Sequence, residues 1–174
     1  MPALSEIELL AVDVFLAAPK RLDGPPPAWM PTKRPNDVTA NWNVIDALGV
    51  TAAHLRFRLS KLAPEYPSVS LIFRNNPIWR VDLCPTEQRK TNPPWASLLG
   101  LPAFFFGSHC HTWADNRAHI GVTGAWKLDA HRPVEASLRR VSQMLPWIAD
   151  RTRIQLESSQ RSFDAPLKSE LFEE

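Results

Sequence analysis

The sequence predicts an α+β fold: an antiparallel sheet of about five to six strands with an N-terminal and a C-terminal helix packed on one face. Three observations carry that prediction. Apolar residues alternate at period two through successive runs between Asn41 and Cys84, whereas both ends of the chain show helical spacing. The strand-like runs are separated by short stretches of turn chemistry, which favours antiparallel neighbours. Seventeen prolines in 174 residues, against an average share of about 5%, argue for loops and against long uninterrupted helices.

Residues 4–17 read as the first helix. Ser5 followed by Glu8 fits a capping box, and Ile7, Leu10 and Val14 recur at helical spacing on a face expected to dock on the sheet. Pro19 ends it. A Pro-rich loop follows at 19–35, in which Pro25–Pro27 predict a stiff, polyproline-like connection. Trp42 and Val44 give a short strand. His54–Ser60 gives a clearer one, with Leu55, Phe57 and Leu59 on one face and His54, Arg56 and Arg58 on the other. Pro67–Phe73 forms the next strand. Asn75-Asn76-Pro77 is a turn signal, so Ile78–Cys84 should return antiparallel, with Trp79, Val81 and Leu83 opposite Arg80 and Asp82.

Residues 85–100 read as a long loop. Phe104–Phe106 read as buried strand leading into His109-Cys110-His111, with Trp113 in the same row as the imidazoles. Asp115-Asn116 looks like a turn, and His119–Trp126 like another short strand. Residues 133–145 predict the C-terminal helix, with Pro146 kinking or restarting it, and Arg153–Leu156 a last strand. One α+β domain is thus expected over 1–157, with a polar, loosely held tail at 158–174.

Composition limits the function classes. A net charge of +2 announces neither a global nucleic-acid field nor acidic disorder. Two cysteines, Cys84 and Cys110, are too few for a disulfide framework and read as free thiols. No apolar run approaches the ~20 residues of a bilayer span, and the N-terminus is acidic where a signal peptide is positive. A cytoplasmic protein with no membrane partner is expected.

The chemistry-bearing stretch is His109-Cys110-His111. Residues two apart on a strand share a face, so both imidazoles should project together with Cys110 on the reverse side. Imidazole titrates near neutrality, so the pair can divide acid and base roles, or ligate one metal ion with a third donor from Asp82, His119 or Asp115. No metal is assigned at this point, although a divalent ion stays open. Arg80 is suited to grip a phosphate or carboxylate, and Asp82 to orient an imidazole. Catalytic candidates are therefore His109, His111 and Asp82; substrate-binding candidates are Arg80, Trp113, Asn92 and Arg117. Cys110, between the histidines, reads as a buried inert thiol.

The succession SLIFRNNPIWRVDLCP, TNPP and FGSHCHTWADNR resembles small uncharacterised bacterial and phage proteins that share an R-x-D strand, an asparagine-proline loop and an H-x-H strand. A related layout occurs in TumE-like toxins of toxin–antitoxin pairs. The resemblance covers about residues 54–120 and maps Arg80, Asp82, Asn92, His109 and His111 onto the shared positions. Thr91 stands where such sequences often carry a further histidine ahead of asparagine-proline. A toxin, phage-defence or anti-defence role is what it implies. LRFRLSKLAPEYPSVSLIF is also similar to the strand–YP–strand core of ubiquitin-conjugating enzymes, and LPWIAD suits their last helix, although their histidine-proline-asparagine motif is absent.

Two functions follow as expectations. One is a small hydrolase or nuclease acting on RNA or a nucleotide through the His-x-His pair. The other is a non-enzymatic inhibitor from a mobile element that binds a protein partner, such as a defence complex or antitoxin, through an exposed sheet face; there Arg56 and Arg58, beside Arg80, would dominate binding.

Overall fold

Period-two alternation builds the centre of the molecule. In the computed structural model, which describes residues 5–166, Ser169 and Leu171, four long strands run as an antiparallel meander. They are β3 (Asp37–Ile45), β4 (Thr51–Ser60), β5 (Ala63–Phe73) and β6 (Asn76–Asp82). Short strands extend it on both sides: β1 (Lys20–Leu22), β2 (Met30–Pro31), β9 (His109–Thr112), β10 (Arg132–Pro133) and β11 (Ile154–Gln155). Among the described residues the result is nine-stranded, in the order β10-β9-β6-β5-β4-β3-β1-β11 with β2 also on β3, and only the β1–β11 pairing is parallel. A separate hairpin pairs β7 (Arg89–Thr91) with β8 (Phe104–Phe106). The sheet is larger than the five to six strands expected, because two- and three-residue strands give no periodic signal.

The registers set side chains in rows across the sheet. Phe57, Val69, Val81 and Cys110 are consecutive partners, all at 3% exposure or less, and form one buried row. The rows on either side face the other way: Arg56, Ser70, Arg80 and His111 in one, Arg58, Ser68, Asp82 and His109 in the other. One face is thus apolar core and the other carries the polar chemistry. The turn between β5 and β6 is Arg74-Asn75, both left-handed at φ 47° and 68°, one residue earlier than the asparagine-proline signal suggests.

Three α-helices complete the described chain: α1 (Glu6–Ala17), α2 (Trp113–Thr123) and α3 (Val141–Arg151). Buried residues of all three share one cluster with the apolar strand residues. The Ser5–Glu8 capping box is in place. The face of α1 is shifted from the expected one: Leu9, Val12 and Phe15 go inside, leaving Ile7, Leu10 and Val14 exposed. Both stripes are apolar in sequence, and the one holding Phe15, which stacks on Phe73 at 4.7 Å, is buried.

Other expectations need correction. Asp115-Asn116 is the first turn of α2, not a turn between strands, and His119–Thr123 continues that helix. Thr112 is its N-cap: its hydroxyl accepts from the Asp115 N–H at 3.1 Å and donates to the Asp115 carboxylate at 2.7 Å. The C-terminal helix starts at Val141 rather than 133 and runs through Pro146, while Val134 and Leu138 lie outside it. Phe104 and Phe106 are about half exposed because their strand pairs only in the small hairpin.

The described part of the expected loose tail is packed. Phe163 is buried against Trp29, Trp42 and Phe57, with ring centroids at 5.8, 5.4 and 4.9 Å. Asp164 accepts from the backbone N–H and hydroxyl of Ser142 in the first turn of α3. Residues 167, 168, 170 and 172–174 lie outside the described residues. Among the described residues, no helix is long and apolar enough to cross a membrane. Both cysteines are free.

Candidate metal centre

The two histidines of β9 project from one face, and Cys110 between them belongs to the buried row. Strand β6 lies alongside and sets Asp82 opposite His109 and Arg80 opposite His111. The four polar positions of two short motifs, distant in sequence, therefore meet by register alone. The Nε2 atoms of His109 and His111 each lie 3.6 Å from Asp82 Oδ2. That separation is too long for a hydrogen bond. It is close to the roughly 3.3 Å between donors that each sit ~2.0–2.1 Å from a tetrahedral ion.

The two oxygens of Asp82 have different fates. Oδ1 accepts from Arg80 Nε at 2.9 Å and Nη2 at 2.7 Å. Oδ2 is buried and accepts no hydrogen bond among the described residues. A buried, unpartnered carboxylate oxygen is costly, and here it faces two imidazole nitrogens. One donor atom each from Asp82, His109 and His111 falls within 4.8 Å of the others, a set able to hold a metal ion. Two imidazoles and one carboxylate suit zinc or another divalent first-row metal, with further positions left open.

A third imidazole, one that strand alternation gave no means of finding, completes the cluster. His131 lies in the segment entering β10, its ring centroid 5.0 Å from that of His109 and 4.8 Å from that of His111. Its Nδ1 is 2.9 Å from the Asp129 carbonyl oxygen. A carbonyl only accepts, so Nδ1 carries the proton and Nε2 the lone pair. That Nε2 is buried without a partner among the described residues. Phe105 closes the cluster from the small hairpin, 5.3 Å from His131 and 6.1 Å from His109 between ring centroids.

Burial pushes the His109 imidazole down to about 4, against the pull of the nearby Asp82 charge. Burial likewise lowers His131. It would raise the Asp82 carboxyl, but the His111 imidazole and the Arg80 guanidinium outweigh it and leave the group below its ordinary value. Near neutrality the cluster therefore offers an ionised carboxylate and lone pairs on His109 and His131, the forms that bind a cation.

The remaining sequence candidates are placed elsewhere or act structurally. Asn92 is a clamp on His131: it donates to the His131 carbonyl at 2.8 Å and accepts from the His131 N–H at 2.8 Å. Asn116 holds the neighbouring Ala130 by the same two-way pattern. Trp113 is in the core, stacked on Trp126 at 5.5 Å, with its indole N–H on Asp13. Arg117 ties α2 to α1 through Asp13 and Glu6. Of the other third-ligand candidates, Asp115 is paired with Arg132 and His119 stacks on Trp95 at 4.3 Å. The structure brings Asp82, His109, His111 and Arg80 together and leaves Trp113 and Arg117 in packing roles.

No family model matches the chain, and neither does any curated protein or solved structure.

Proposed function

We propose that the protein is a metal-assisted hydrolase of phosphate esters, a small nuclease or nucleotide hydrolase. The observation that carries this reading is the unpartnered Asp82 Oδ2, 3.6 Å from two imidazole nitrogens in a buried site. In this reading Asp82, His109 and His111 hold the ion. A bound divalent ion supplies a water acidified toward neutrality and a Lewis acid for the phosphoryl oxygen. His131, its ring beside those of His109 and His111 and its Nε2 carrying the lone pair, would serve as the general base. Arg80, half-exposed at the rim, fixes the Asp82 carboxylate with one edge and presents positive charge to the phosphate. In a metal-free acid/base pair, a His109 imidazole held neutral down to about 4 would take the base role and not the acid role at neutral pH.

A toxin, phage-defence or anti-defence setting is supported only by the resemblance of the R-x-D, asparagine-proline and H-x-H segments. The alternative of a non-enzymatic inhibitor draws on one observation, the exposed Arg56 and Arg58 on the polar sheet face.

The test is metal content together with turnover. Protein purified without chelator and dialysed against zinc or manganese should retain about one ion per chain and hydrolyse bis(4-nitrophenyl) phosphate. Asp82→Asn should lose both. Wild-type protein that retains no ion and hydrolyses no phosphate ester would overturn the reading.

A further inference from the structure

A basic track leads away from the cluster across the sheet. Beside His111 a cavity of about 530 Å³ is lined by Arg80, Ser70, Ser68, Arg56 and Arg58, with Lys127 at its rim. A second, of about 580 Å³, shares Arg56 and Arg58 and continues to Lys33 and Arg34. The two adjoin at those shared arginines. Six cations line them against Asp37 and Asp129, and with Asp82 at the inner end three positive charges remain uncompensated. That exceeds the +2 of the entire chain. The charge balance that announces no global field thus conceals a local one.

The registers give the track its length. Asn41, Arg56, Ser70, Arg80 and His111 are successive partners on β3, β4, β5, β6 and β9. Four strand intervals of about 4.8 Å span roughly 19 Å. Arg56 has no carboxylate partner among the described residues; its Nε donates to Asn41 Oδ1 at 3.2 Å. Serines and asparagine between the cations add neutral hydrogen-bonding groups. At the cluster end Trp126 lines the wall, its inner face backed by Trp113.

We propose that this track binds the sugar–phosphate backbone of a single-stranded polynucleotide, laid across β3 to β9 with the scissile phosphate at the Asp82 cluster. The inference rests on the phosphoesterase reading and names its substrate class. A single nucleotide needs only the cluster end, whereas a track of roughly 19 Å is long enough for several nucleotides of backbone. A row of cations and hydroxyls without a wall of base-reading groups grips backbone rather than sequence. Trp126 is placed to stack one base beside the reacting phosphate. The recessed cluster, with Asp82 and His109 at 9% and 5% exposure, admits a flexible strand and not a rigid duplex.

The experiment reads binding separately from turnover. Fluorescence anisotropy with labelled 12-nucleotide single strands of RNA and DNA, a 12-base-pair duplex and labelled AMP is run in chelator, where hydrolysis does not interfere. Single strands should bind at least about tenfold tighter than duplex or AMP, and weaken steeply with salt, by roughly 0.7 in log–log slope per phosphate contact. Arg56→Gln, and separately Lys33→Gln with Arg34→Gln, should weaken strand binding and flatten the salt slope. Arg21→Gln, outside both cavities, should change nothing. RNA and DNA arms distinguish a 2′-hydroxyl requirement from pure backbone recognition. Strand binding no tighter than AMP or duplex, or unaltered in the track variants, overturns the inference even if wild type cleaves the small diester. Strand binding as expected in a protein that cleaves nothing upholds the track and removes the phosphoesterase reading.

Discussion

Asn92 and His131 hold each other through both hydrogen bonds that a strand partner would make. The Asn92 amide donates to the His131 carbonyl and accepts from its N–H, each at 2.8 Å, and its Nδ2 also donates to Pro102 O at 2.8 Å. A side-chain amide has the donor–acceptor spacing of a peptide group, so it can extend a sheet where no strand is available. His131 owes its place beside His109 and His111 to this exchange.

Asn92→Ala should therefore act on both stability and site. It leaves the two buried backbone groups of His131 unpaired, at ~1–3 kcal/mol each before relaxation, so a loss of about 3 kcal/mol is expected in urea unfolding. Asn92→Asp, which keeps the acceptor but sets a buried carboxylate oxygen against the two carbonyls that Nδ2 served, should be no milder. Wild-type stability in Asn92→Ala would mean the clamp does not position His131.

Metal addition should stabilise the wild type. An ion at about 100-fold its dissociation constant adds ~2.7 kcal/mol, which raises Tm by roughly 5–10 °C in a chain of this size. Asp82→Asn should abolish that rise while folding normally without metal. An equal rise in both proteins would place the ion elsewhere.

The meander was legible because its strands are long and half-buried, so every second residue reports its face; Leu55, Phe57 and Leu59 against Arg56 and Arg58 is the clearest case. Register then delivered the Asp82–His109 and Arg80–His111 pairings, which two motifs on neighbouring strands make available without stating. What failed was local signal competing with tertiary context. Thr112-Trp113-Ala114-Asp115 is a capping sequence of the kind that opens helices, and it was outweighed by the run of strand-like aromatics before it. His131 carries no periodic neighbour at all. Its contribution arises from Asn92, thirty-nine residues away, and no spacing rule links them.

Phe163→Ala should cost about 3–5 kcal/mol, the range for emptying a buried aromatic site. The ring packs into the aromatic cluster of Trp29, Trp42 and Phe57, beside the hydrogen bond that the Trp29 indole N–H donates to the Asp164 carbonyl. Thermal and urea unfolding measure the loss; a change within about 0.5 kcal/mol, as for a surface residue, would mean the segment is only loosely docked.

Acid should destabilise the metal-stripped protein in a defined window. His109 is held to about 4 by burial, whereas in the unfolded chain it takes a proton near its ordinary value. Between those values the unfolded state binds the extra proton, so stability is full above ~6.5 and falls as pH drops toward 4, by ~1.4 kcal/mol per pH unit. His131, also lowered, adds in the same direction. Asp82 stays below its ordinary carboxylate value and contributes nothing in this window. His109→Gln should flatten the slope measured in urea from pH 7 to 4; a wild type that gains stability on acidification would show a protonated ring in the fold.

His131 separates ligation from proton transfer within the cluster. Its Nδ1 is fixed on the Asp129 carbonyl, its buried Nε2 has no partner among the described residues, and its ring centroid lies 5.0 Å from that of His109 and 4.8 Å from that of His111. If Nε2 serves as the base, His131→Gln keeps the ion, because the three donors of the set are untouched, and turnover falls by about 10²–10⁴. The pH–rate profile should then lose its acidic limb. If Nε2 is instead a fourth ligand, the same variant loses metal affinity in step with rate, and excess zinc restores activity. Titration of metal by inductively coupled plasma mass spectrometry beside kcat on the small diester distinguishes these outcomes. Retained metal with wild-type kcat would remove His131 from the chemistry altogether and leave Asn92 guarding a purely structural ring.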